Sequence, residues 1–331
     1  MTLAIVVRTP NWLGDTVMAL PTLTALRAAE PEARITLVGR WATLLAGQGV
    51  ADVVLPYPRP LAARRRLAHA LAAERADVAV LLPSSIESAL AAWRWRAARR
   101  VGYATDGRVA LLTDALPLPA PRRHQVDEYA ALLAPLGVSA AAAAPSWKLG
   151  PDAAMATEVT QLLAEVGLPA GARAIGLHLG AAFGSSKLWP AEAFGRLAQR
   201  LAAIGLAPVL LGTAEDGATA AAVARAAAGP IPSLVGRDRP ALLPRLLSRL
   251  ACLVSGDTGV AHLAAAVGVA TVTLFGPTDA RLTAPRGRGS RVLEGPAPCA
   301  PCFLPRCPID HVCLTRIEPE EVLNEVRRAV A

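Results

Sequence analysis

Residues 255–277, SGDTGVAHLAAAVGVATVTLFGP, carry the local pattern from which the architecture of this chain can be read. The apolar run just before them, 252–254, reads as a buried strand. Asp257, Thr258 and Gly259 then open a small-residue helix that stops at Gly268, and 270–274 reads as the following strand. Strand, helix and strand make one βαβ unit. The first turn of its helix presents unpaired N–H groups and the positive end of the helix dipole, and Gly259 lets a ligand approach the backbone. The stretch is a candidate anion cradle at the carboxyl end of a buried strand.

Outward from it the same alternation recurs. In the second half, strands are expected at 174–179, 208–211, 233–235 and 291–293, and helices at 153–166, 191–204, 215–228 and 241–250. In the first half, strands are expected at 3–7, 35–38, 53–54, 78–82 and near Val101, with helices at 16–29, 61–74, 85–96 and 126–136. Such alternation implies parallel sheets covered on both faces. The fold class is α/β, with two Rossmann-like doubly wound parallel-sheet domains facing a central cleft. Residues 1–145 form the first domain, 139–151 contain the linker and 152–316 form the second. An amphipathic helix in 317–331 can pack back on the first domain.

The chain has 331 residues, 53% hydrophobic and 18% charged. No apolar run approaches the ~18 residues of a spanning helix, and the N-terminus lacks the pattern of a signal peptide. The expectation is a cytoplasmic protein. Of the net charge of +8, most lies in residues 1–150, where 17 Lys and Arg face 11 Asp and Glu. The clusters are Arg64–Arg66, Arg94 and Arg96 with Arg99 and Arg100, and Arg122–Arg123. A solvated helix face explains any one of them. Together they suit an anionic partner such as a phosphorylated lipid or a membrane face. Nucleic acid is disfavoured, because aromatics are only 4% and no recognition motif is present.

Neither GxGxxG nor GxxxxGK[ST] occurs, so a dinucleotide dehydrogenase and a P-loop ATPase lose ground. The loop HLGAAFGSSK, 178–187, brings glycines, Ser185, Ser186 and Lys187 past a strand, a set that can hold a diphosphate. A surface lysine is otherwise merely solvated. Glu215 and Asp216 follow the next strand, as ribose ligands or as ordinary first-turn acids. His178 and His262 read first as packed histidines. In the first half, RTPNWLGD, 8–15, ends on Asp15, either an N-cap or a carboxylate where a doubly wound sheet puts its chemistry. Cys299, Cys302, Cys307 and Cys313 are spaced for a structural zinc, with reduced packed thiols or an oxidised pair as alternatives.

Four stretches, RTPNWLGDTVMALPTLTALR, HLGAAFGSSKLWPAEAFGRLAQRL, VSGDTGVAHLAAAVGVATVTLFGPTDARLTAPRG and CAPCFLPRCPIDHVCLTRIEPEEVL, keep an order that resembles the ADP-heptose:lipopolysaccharide heptosyltransferases of glycosyltransferase family 9. The type that adds the second heptose of the inner core is the most similar. The resemblance implies the GT-B architecture and inverting transfer of heptose from ADP-L-glycero-D-manno-heptose to heptose-Kdo2-lipid A, with no cofactor required. It implies that Asp15 is the general base and that Lys187, with Ser185 and Ser186, holds the diphosphate. Asp257 would contact the heptose, Thr258, Gly259 and His262 would lie at the donor, and Glu215 or Asp216 would reach the ribose. Asn11, Trp12 and Gly14 would meet the acceptor, an anionic glycolipid at the inner face of the inner membrane. Another glycan or protein acceptor, or a non-catalytic ADP-binding scaffold, are the alternatives.

Overall fold

The computed structural model describes residues 2–140, 143–237 and 239–331, so part of the expected linker lies outside the described residues. Two compact units divide the chain, Met1–Lys148 and Leu149–Ala331. The first unit carries β1 (Ala4–Arg8), β2 (Arg34–Gly39), β3 (Val53–Pro56), β4 (Val78–Leu81), β5 (Arg99–Tyr103) and β6 (Asp114–Leu116). Their order is β3-β2-β1-β4-β5-β6, with every pair parallel. The second carries β7 (Ala174–His178), β8 (Ala207–Leu211), β9 (Cys252–Gly256), β10 (Ala270–Phe275) and β11 (Ser290–Glu294), in the order β11-β10-β9-β7-β8.

The strand expected at 233–235 is reduced to one parallel bridge, Leu210 to Ser233, on the outer side of β8. Counting that bridge as an edge position, both sheets follow the same doubly wound order. In each, the order reverses beside the first strand, between β1 and β4 and between β7 and β9. Loops leaving the carboxyl ends of such a pair diverge and open a crevice. Asp15 follows β1, Lys187 follows β7 and Asp257 follows β9, so the topology selects all three.

Local chemistry moves some boundaries. The helix expected at 16–29 is two helices, Leu13–Met18 and Leu20–Ala29, because Pro21 has no N–H and is accommodated only in a first turn. Trp12 is the N-cap, so Asp15 is the third residue of its helix and the N-cap reading is corrected. The short strand β6 carries no periodicity that could announce it. Helix Pro319–Val330 buries Val322, Leu323 and Val326 in the same core as Trp189, Phe194 and Leu197. Its apolar face is therefore taken up within the second unit, whereas the expectation was packing on the first.

The basic clusters also divide. Arg99 pairs with Asp114 at 2.7 Å, Arg122 pairs through two nitrogens with buried Glu128, and Arg100 donates to the carbonyls of Ala97 and Leu111. Trp95 is fully buried while Trp93 is exposed. Arg65, Arg66, Arg94 and Arg96 are exposed.

Candidate active site

In the second unit the loop after β7 and the turn after β9 meet. Lys187, in the short turn Ser185–Lys187, places Nζ 2.5 Å from Asp257 Oδ2 and 3.2 Å from the Asp257 carbonyl. Thr278, just past β10, donates its hydroxyl to the same Oδ2 at 2.7 Å. His262 Nε2 lies 4.0 Å from Oδ1, and the lysine ammonium stands 4.8 Å from the centre of the Phe183 ring. Lys187 and Asp257 are 11% and 8% exposed, a largely desolvated pair in which each charge compensates the other. Gly256 makes the crossing possible, since a Cβ there would lie 2.7 Å from the Lys187 carbonyl oxygen.

Beside this pair begins helix Gly259–Val267. Its N-cap Thr258 is extended and makes no side-chain cap; its hydroxyl is 2.9 Å from Ser255 Oγ instead. Backbone amides, dipole and ammonium therefore converge, which is the equipment for a diphosphate. Ser255 Oγ also lies 3.4 Å from His178 Nδ1. Burial pushes the His178 imidazole down to about 4, so the ring is neutral at ordinary pH.

Two expected donor ligands are placed differently. Ser186 is 1% exposed, with its N–H given to the Pro305 carbonyl, so of the two loop hydroxyls only that of Ser185 is exposed. Asp216 turns its carboxylate back onto Thr213, accepting from both the N–H and the hydroxyl in a capping box, because Gly180 and Gly212 leave room for it there. Glu215 is the exposed acid of the two.

In the first unit Asp15 Oδ1 accepts from the Tyr129 hydroxyl at 3.3 Å. Burial, and after it the Asp15 charge, hold the Tyr129 phenol well above its ordinary value, so it remains a donor. Asn11 Oδ1 accepts from Arg8 at 2.8 Å and the Asn11 carbonyl from Trp41 at 3.1 Å, while Trp12 is exposed and Gly14 is buried. Arg8, 1% exposed at the end of β1, stacks 4.0 Å from the centre of the Tyr57 ring. Sequence reasoning does not find Thr278 or Tyr129. A hydroxyl just past a parallel strand is a usable signal for Thr278, whereas nothing local marks Tyr129.

The four clustered cysteines are unpaired thiols: Cys313 is buried, Cys302 and Cys307 half-buried and Cys299 exposed. Among the described residues no three His, Cys, Asp or Glu side chains gather closely enough to hold a metal ion. In this arrangement the four thiols do not form a tetrahedral set.

The family model for glycosyltransferase family 9 (heptosyltransferase) matches residues 64–313. Lipopolysaccharide heptosyltransferase 2 of Salmonella typhimurium is 30% identical over 306 residues, covering 86% of each chain. The structure of the Escherichia coli ADP-heptose heptosyltransferase II superposes with a TM-score of 0.82 at 26% identity, over 100% of this chain and 98% of that one. The Escherichia coli heptosyltransferase WaaC solved with ADP shares the fold, with a TM-score of 0.74 at 21% identity over 99% and 100%.

Proposed function

The chain belongs to glycosyltransferase family 9, and from that premise we propose that it transfers heptose from ADP-heptose to the lipopolysaccharide inner core, onto an acceptor that already bears one heptose. It is a glycosyltransferase of GT-B architecture. The observation that carries the reading is the convergence of Lys187, Asp257 and an uncapped helix start at the strand-order reversal of the second sheet. Lys187 and the helix amides stabilise the charge that builds on the departing diphosphate. Asp257 would grip hydroxyls of the transferred sugar. Glu215 is the better ribose ligand, since Asp216 is committed to its own loop.

Asp15 takes the proton from the acceptor hydroxyl as that oxygen attacks the anomeric carbon in line, inverting it. Tyr129 orients the carboxylate through its hydrogen bond. The test is turnover with defined donor and acceptor. Asp15→Ala should abolish transfer while ADP still binds by calorimetry; wild-type turnover in that variant would remove Asp15 as the base. Turnover only with another glycan or a protein would redirect the acceptor assignment.

The acceptor is an anionic glycolipid, so the basic face of the first unit is suited to the inner face of the inner membrane. No helix among the described residues is long and apolar enough to cross a membrane. A structural zinc on Cys299, Cys302, Cys307 and Cys313 would require those thiols to draw together. Metal analysis of reduced protein decides it: about one zinc per chain supports the site, and metal-free folded protein removes it.

A further inference from the structure

The irregular segment between β11 and helix Val312–Thr315 has no part in the chemistry above, yet it touches both loops that carry it. On one side the Pro305 carbonyl accepts the Ser186 N–H at 3.1 Å, immediately before Lys187. It also lies directly over Gly184, where a Cβ would collide with Pro305 and where φ is +149°, a region that disfavours side chains. On the other side, two residues away, the Phe303 N–H donates to the Pro277 carbonyl at 2.7 Å, immediately before Thr278. The Cys313 sulfur closes over Gly276, leaving 2.9 Å for any added Cβ. Lys187 and Thr278 both donate to Asp257 Oδ2. One short stretch therefore holds two donors of the same carboxylate.

We propose that residues 295–313 are a positioning brace for the donor site, with Gly184, Pro305 and Gly276 as its seats, and that the brace sets the affinity for the diphosphate of the nucleotide sugar. The Ser185–Lys187 turn closes on itself only through the Lys187 N–H to the Gly184 carbonyl and the Leu188 N–H to the Ser185 carbonyl, local bonds that set its shape and not its placement against the rest of the unit. The bond from Ser186 to Pro305 ties that turn to a distant part of the backbone, so the brace determines where the ammonium points. An error of about 1 Å in such a group is enough for large losses.

The proposal rests on Lys187 as the diphosphate ligand, and the test separates the two. ADP binding is measured by calorimetry, and donor and acceptor KM by kinetics, for Gly184→Ala, Pro305→Gly and Lys187→Ala. Gly184→Ala should raise the ADP Kd and donor KM roughly tenfold and leave the acceptor KM unchanged. Pro305→Gly introduces no clash and should show the same split to a smaller degree, which decides the matter if the first variant does not fold. Wild-type ADP affinity in the folded brace variants, with Lys187→Ala impaired, would overturn the brace alone. Wild-type affinity in Lys187→Ala would overturn the diphosphate reading and the brace with it. Donor and acceptor KM rising together would mark a merely structural role and also overturn the proposal.

Discussion

The Asp15 carboxylate, the proposed base, accepts a hydrogen bond from the Tyr129 hydroxyl. Tyr129 sits on helix Gln125–Ala131, 114 positions along the chain, and only the fold brings the two within 3.3 Å. A hydrogen bond to a carboxylate contributes about 1.5 kcal/mol. Tyr129→Phe should therefore lower kcat about tenfold. Donor KM and ADP affinity should not change, because the residues proposed for the nucleotide lie on other loops. Steady-state kinetics with the donor varied at saturating acceptor will show it, and an unchanged kcat would exclude the positioning role. Asp15 stands out in the sequence as a candidate because it is a carboxylate after a buried first strand, although the same pattern fits an N-cap and its proposed role comes from the family resemblance. Tyr129 does not, because a tyrosine in an amphipathic helix reads as core until its partner is known. The same holds for the pairing of Lys187 with Asp257: each is visible as a candidate, and their contact depends on β7 and β9 being neighbours.

Among the strands, the carboxyl edges of β7 and β9 are tied by His178, Ser255 and Thr258 in turn. Burial holds His178 at about 4, below its ordinary 6.5. Between those values the unfolded chain binds a proton that the folded chain refuses, so stability is full above about 6.5 and falls as the pH drops toward 4. The loss is on the order of 3 kcal/mol at most. Urea unfolding at pH 7 and pH 4.5 should show the midpoint falling for the wild type, and falling less for His178→Asn, which keeps a polar group near Ser255 but does not titrate. Equal falls would assign the acid sensitivity elsewhere. The elements themselves are largely readable, since 319–330 follows helical spacing from end to end and 61–74 is a continuous run of good helix formers. Where reading fails, the cause is local. Pro21 breaks a helix that periodicity runs together, and the Asp216 carboxylate, read as a candidate ligand, closes a capping box with Thr213.

Over the chain as a whole, most of the surplus of positive charge sits in the half proposed to take the lipid. The first 150 residues hold an excess of six positive charges, and the exposed Arg65, Arg66, Arg94 and Arg96 are part of it. Arg64 and Arg65 line an open groove of about 830 Å³ together with Leu61, Ala68 and Arg94, a surface that offers both apolar wall and charge. Exposed charges are screened within about 10 Å at 0.1 M salt, whereas the largely buried Lys187 is shielded from such screening. Raising the salt should therefore increase the acceptor KM steeply and the donor KM little. Each arginine near an anionic surface contributes about 1 kcal/mol. Reversing Arg65 and Arg66 to glutamate should then weaken cosedimentation with vesicles containing anionic lipid by tenfold or more, with ADP binding retained. Unchanged cosedimentation would detach the basic helix from the membrane and leave its charge to the anionic acceptor itself, a case in which the acceptor KM would still rise with salt.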